Sequence, residues 1–272
     1  MSRHHGITRR RLLQAALASS ATLYGEALWA SNADEQHIAD TFWECYLSGE
    51  DPRLPRHPNA EAERALQAVA LPLCRHSTRS DLNWRVGLLK VAPDNINAFT
   101  CGGGVIFVHD SLLAVCSTET DLAAVVGHEI GHNEHRHAIK RMVAEQVLSK
   151  YGIDVQWDDR MFRKALQSHL HELVADKIIY RSYTRLWEYQ SDAFAVHVLH
   201  SAGYDPAQTH VVFKKLLSMW PEHKDIDTCL ANTHPLFSDR IARIEAIARG
   251  YARGTPRRDS DMFRKLVKLV NL

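Results

Sequence analysis

The run from Leu122 to His132, Leu-Ala-Ala-Val-Val-Gly-His-Glu-Ile-Gly-His, constrains this chain more than any other stretch. Leu122, Val125, Val126 and Ile130 recur at helical spacing and give a helix a buried side. Thr118, with Asp121 three residues on, is a near capping box at its start. On that helix His128 and His132, at i and i+4, lie one turn apart on one face. Two imidazoles on the inner side of a buried helix need a partner. A solvated, histidine-rich helix is the alternative in a chain with 17 histidines, but it would not be approached by an apolar run. The spacing therefore predicts a metal site. Two imidazoles reach one Zn2+, and Glu129 takes a proton from a water whose pKa the ion lowers toward about 7. Gly127 and Gly131 leave room for close approach around the ligands.

A hydrolytic zinc site takes a third protein ligand and keeps a fourth position open. Two downstream stretches offer a carboxylate in the same ExxxD frame, Glu172 with Asp176 and Glu188 with Asp192. Spacing alone leaves both open. His135 and His137, after the motif, read as helix-end or packing residues, and His197 and His200 as partly exposed helix positions.

The rest of the chain is ordered around this helix. Helices are expected over 34–48, over 59–76 with an interruption at Pro72, over 183–203 with Gly203 as the stop, and over 206–219. Another is expected in Ser238-Asp-Arg-Ile-Ala-Arg-Ile, and residues 138–180 are polar and helical in character, with a break near 157–159. Strands are expected over 83–91 and 105–108, with 93–104 as a turn between them. A last amphipathic segment, 262–272, sets Phe263, Leu266, Val267, Leu269 and Val270 against Arg264, Lys265 and Lys268. Packing back on the domain is its expected use, and docking to a partner or membrane surface the alternative. Helices dominate, with one small sheet.

Charge is informative at one end only. Residues 1–33 carry Arg3, Arg9, Arg10 and Arg11 against Glu26, a balance of +3, so the remainder holds −2 of the total of +1. The basic start, a modest apolar stretch and small residues at Ala30 and Ala33 have the layout of an export signal over 1–33. Cleavage after either alanine suits it. Arg9-Arg10-Arg11-Leu12-Leu13 resembles a twin-arginine signal, with a general secretory signal as the alternative. One domain is expected over 34–272, exported to the periplasm, with no transmembrane segment in the mature chain and at most peripheral envelope association. The absence of a basic stripe argues against nucleic acid as a partner. Five cysteines without a CxxC spacing allow up to two disulfides in an oxidising compartment, and their pairing is left open.

Four blocks in order, Asn97-Ala-Phe-Thr-Cys-Gly-Gly-Gly-Val-Ile-Phe-Val, Glu119 to His137, Glu188 to Pro206 and Thr233-His-Pro to Ile244, carry a wider likeness. Across roughly 85–247 the chain resembles the HtpX-like, CAAX-prenyl-protease-type zinc metalloendopeptidases. It is closest in kind to their soluble exported, BepA-like members without the tetratricopeptide half.

The resemblance implies an α+β, mainly helical, zincin-like metallopeptidase domain with one small β-sheet and one Zn2+ per chain. It selects Glu188 over Glu172 as third ligand, because the AGYDP-like turn follows Glu188. Asp192 becomes the carboxylate that orients a zinc histidine, and Arg240 matches the arginine after the family histidine at His234. That histidine either steadies an oxyanion, caps the metal in a latent state, or is structural. Gly103, Gly104, Val105 and Ile106 become the edge strand onto which an extended or unfolded polypeptide substrate adds. Two departures stand out: Ser191 replaces the usual Ala before the Asp, and Cys101 the usual Pro before the paired glycines. The implied activity is a zinc endopeptidase in quality control of misfolded envelope proteins. The rival reading is a latent zinc-fold chaperone or assembly factor that binds and does not cleave.

Overall fold

A computed structural model describes residues 32–49, 51–141, 177–219, 234, 238–254 and 258–270. Helices α1 (Asn32–Ser48) and α2 (Ala60–Cys74) precede a sheet of β1 (Arg85–Leu89), β2 (Ala98–Gly102) and β3 (Val105–His109). Short α3 (Asp110–Leu113), α4 (Glu119–Glu134), the long α5 (Lys177–Ser201), α6 (Thr209–Met219), α7 (Ser238–Ala248) and α8 (Asp261–Val270) follow. The fold is mainly helical α+β with one small sheet, as the sequence suggests.

The sheet order is β1-β3-β2, with β1 parallel and β2 antiparallel to β3. Alternation along the strands divides the core in two. Val86, Leu88, Ile106 and Val108 join α2 and α4 in the main core. Leu89, Val105 and Phe107 face the other way, against Ala39, Phe42 and Tyr46 of α1. Gly87 is a packing requirement, since a Cβ there would lie 2.9 Å from the Phe107 ring.

The expected edge strand is corrected here. Val105 and Ile106 lie in the central strand, buried and paired on both sides, and their main chain has no free ladder to offer. Gly103 and Gly104 form the β2–β3 turn, both at positive φ. Gly103 N donates to Glu35 and Gly104 N to Asn133. The outer side of β1 is covered as well: His57 N donates to Leu88 O, Lys90 N donates to Pro55 O, and the Tyr46 hydroxyl bonds both Leu88 main-chain groups. Among the described residues the open edge is β2, in the stretch expected to be a turn. Its main chain follows from one bond: Asn97 O accepts from His109 N. By the alternation of an antiparallel ladder, the N–H and C=O of Ala98 and Thr100 then point outward.

Pro72 does not interrupt α2, which runs through it. It falls in the last turn, where losing one ladder bond is tolerable. The amphipathic end packs home, with α8 lying along α2 and burying Phe263 and Leu266 in the main core. Cys45, Cys74 and Cys116 are free thiols, and Cys101 is buried in the second core. Cys229, Glu172, Asp176 and the expected break near 157–159 lie outside the described residues.

Candidate metal centre

Helix α4 starts with a full capping box: Thr118 accepts from Asp121 N, and the Asp121 carboxylate accepts from Thr118 N. It runs buried along α5. Its two glycines set how close the backbones come. A Cβ on Gly131 would lie 2.8 Å from Ser191 Cα, and one on Gly127 would lie 3.2 Å from Ala195 Cα. Small residues on both helices thus bring Glu188 and Asp192 up against the face that bears His128 and His132.

The result is a compact donor cluster. His128 Nε2 and His132 Nε2 are 3.0 Å apart, and each is 3.3 Å from an oxygen of Glu188. His234 Nδ1 lies 3.3 Å from both His128 Nε2 and Glu188 Oε1. One donor atom from each of these four buried residues falls within 4.8 Å of the others. Glu129 borders the cluster, its Oε1 3.4 Å from His234 Nε2.

Behind this cluster Arg240, 1% exposed, ties α7 to α5. It donates to both oxygens of Asp192, at 2.8 and 2.7 Å, and its third nitrogen is 2.8 Å from Glu188 Oε2. Asp192 Oδ1 in turn lies 3.0 Å from His128 Nδ1. Asn133, one residue past His132, straps α4 to the sheet, donating to Thr100 Oγ1 and accepting from Gly104 N.

Burial is the strongest influence on His128, Glu129, His132, Glu188, Asp192 and Arg240. It pushes Glu129 above the ordinary carboxylate range, with His234 opposing, and lowers His132 to about 3. For Glu188 and Asp192 burial is overcome by the charge of Arg240, which holds both below their ordinary values. His128 is raised to about 9, because Glu188 and Asp192 outweigh its burial.

These residues fit a bound cation. The donors are two imidazoles and a carboxylate, a set that suits a divalent metal of borderline softness. Among the described residues, Glu129 Oε2 is buried without a hydrogen-bond partner, as expected of a carboxylate facing a hydrated ion. A mostly apolar pocket opens beside it, lined by Ala98, Val125, Phe213, Leu216 and His234 among others.

Sequence reasoning brought together His128, Glu129, His132, Glu188, Asp192, His234 and Arg240, and the structure places all seven side by side. It missed three things. The open strand β2 was hidden among turn residues, though Phe99 and Thr100 are strand formers. The buried carboxylate of Glu35 pairs with Arg79 and Arg136, at 3.0 and 2.9 Å. His137 is buried and packed, as expected, but the meeting of its Nδ1 with His132 Nδ1 was not foreseen.

A buried helix with HExxH, crossed by a second helix that adds a glutamate to the same donor cluster, defines the metallopeptidase class. Residues 59–248 match the model of Peptidase family M48, and the chain belongs to that family. It is 25% identical over 173 residues to the mitochondrial metalloendopeptidase OMA1 of Schizosaccharomyces pombe, covering 62% of this chain and 48% of the relative. A putative beta-barrel assembly-enhancing protease of Vibrio cholerae is 29% identical over 180 residues, with 64% and 37% covered. The metalloprotease LoiP of Escherichia coli is 24% identical over 186 residues, with 68% and 70% covered. The chain thus spans about half or less of the length of the first two of these relatives.

Proposed function

We propose that this protein is a zinc endopeptidase that cleaves extended polypeptides in the cell envelope. The observation that carries the reading is the donor cluster of His128, His132 and Glu188, within reach of one ion and bordered by Glu129. When bound, the ion supplies a Lewis acid that lowers the pKa of water and polarises the scissile carbonyl. His128, His132 and Glu188 would hold it. Glu129, its proton affinity raised by burial, accepts the proton of the attacking water and passes it to the leaving amine. Asp192 orients His128, and Arg240 keeps both carboxylates ionised and in place. The substrate pairs with the outward main-chain groups of Ala98 and Thr100 on β2, which replaces Val105 and Ile106 in that role.

One observation favours a latent resting state within the same reading. His234 Nδ1 sits among the donors, where it would take the place of the attacking water at a bound ion. Swung outward, the same imidazole would donate to the developing oxyanion. The binding-only alternative has no such support, and an intact Glu129 is what a scaffold would not need. The export signal over 1–33, the single domain over 34–272 and a periplasmic address belong to this proposal. They draw on the basic N-terminal layout and on the likeness to a beta-barrel assembly-enhancing protease. No described helix is long and apolar enough to cross a membrane.

The test is metal content and casein cleavage of the purified chain beside Glu129→Gln and His234→Ala. We expect about one zinc per chain and a fall in cleavage of roughly 10²-fold or more in Glu129→Gln with zinc retained. Faster cleavage in His234→Ala would identify the latch. A chain that binds no zinc would overturn the reading.

A further inference from the structure

Among the described residues, His137 is the buried imidazole beside the cluster to which the proposed chemistry gives no role. The chain leaves α4 at His135 and turns through Arg136, the described non-glycine residue with positive φ, at 54°. Glu35 of α1 holds that turn by accepting from Arg136 Nε at 2.9 Å. The reversal brings His137 back against His132, edge to face with 5.0 Å between ring centroids. Its Nδ1 is 2.9 Å from His132 Nδ1, its Nε2 is 3.0 Å from Gln190 Oε1, and its face stacks on Trp187 at 14°.

The hydrogens on this chain of rings follow by elimination. An amide oxygen only accepts, so with Gln190 Oε1 facing it, His137 Nε2 carries the hydrogen. His137 Nδ1 is then a lone pair, and His132 Nδ1 must donate to it. His132 Nε2 is left as a lone pair aimed at the side occupied by Glu188 Oε1 and His128 Nε2. Resting on the zinc reading above, we propose that His137 is a positioning residue for the metal centre, a neutral acceptor that fixes the tautomer and ring orientation of His132. The two imidazoles of the motif are thus braced differently. His128 leans on a carboxylate clamped by arginine, and His132 leans on an uncharged ring locked by an amide. Gln190 sets that lock, and the Glu35–Arg136 contact sets the turn that delivers it.

Two substitutions separate this role from simple packing. His137→Phe keeps a ring to stack on Trp187 and loses the acceptor. His137→Asn loses the ring but keeps an acceptor where Nδ1 stands. The readout is zinc affinity of the metal-free protein, by competition with a chromophoric chelator, with the melting temperature followed alongside. His137→Phe should bind zinc about 10- to 100-fold more weakly while melting near wild type, and His137→Asn should recover most of that affinity. The reverse order, or Phe within about twofold of wild type, overturns the proposal. Should His137→Phe not fold, His137→Leu against His137→Asn makes the same comparison. Zinc binding by wild type that is indifferent to position 137 sinks only this inference, whereas no binding by wild type sinks the peptidase reading.

Discussion

Arg240 shows what a single side chain can decide. Its guanidinium is buried between two carboxylates, one in the donor cluster and one beside His128 Nδ1. Removing one member of such a set strands the rest without compensation, at about 3–5 kcal/mol. Arg240→Leu should therefore lower stability by that order in chelator, and added zinc should return part of it by neutralising Glu188, which calorimetry with and without metal would check. The residue is also a lesson in legibility. The motif made His128, Glu129 and His132 plain, because i, i+4 spacing on a helix carries its own geometry. Arg240 and His234 came only from likeness to a family, since their partners lie some 46 to 48 positions away in sequence and no local pattern encodes them.

At the level of elements, the α4–α5 crossing is set by what the glycines leave out. A methyl group on Gly131 would meet the Ser191 backbone, which cannot swing aside as a flexible side chain can. Gly131→Ala should cost about 1–3 kcal/mol by overpacking, and should weaken zinc uptake because Glu188 rides on the displaced helix. Thermal melting and metal titration on the same variant would show both, and unchanged affinity would mean the helices separate without moving the glutamate. Strand β2 makes a kinetic prediction. Ala98→Pro removes one outward N–H and spares the ladder to β3, a place where an edge strand tolerates proline. The fold should survive and KM should rise roughly three- to tenfold, the worth of one hydrogen bond, with kcat little changed. The strand was illegible for a physical reason. Only one of its flanks is in the sheet, its five residues follow an Asn-rich turn and end on the first of three glycines, and strand propensity over so short a run is easily outvoted by turn formers.

For the molecule as a whole, the site makes stability depend on pH in both directions when no metal is bound. Glu188 and Asp192 are held below their ordinary values, so the unfolded chain binds more protons than the folded one in acid. Their contribution is present above about pH 4 and is lost as the pH falls through that range. His128, raised to about 9, acts oppositely: its contribution is full below its ordinary value near 6.5 and is lost as the pH climbs toward 9. His132, lowered to about 3, adds to the loss on the acid side as the pH falls below its ordinary value of about 6.5, so the metal-free protein should melt highest at about pH 6.5. A melting profile in chelator that climbed steadily to pH 9 would contradict this.

The sheet itself has a consequence for how this molecule meets its neighbours. One flank is sealed by the Tyr46 hydroxyl and the segment around Arg56, and the other runs past Glu129. On the proposed function, a stray chain that lengthens the sheet would lie down beside Glu129, the residue proposed to activate the attacking water. On that reading, the exposed ladder that invites aggregation in other proteins is placed where a captured strand would be a substrate, so stickiness and destruction share one address.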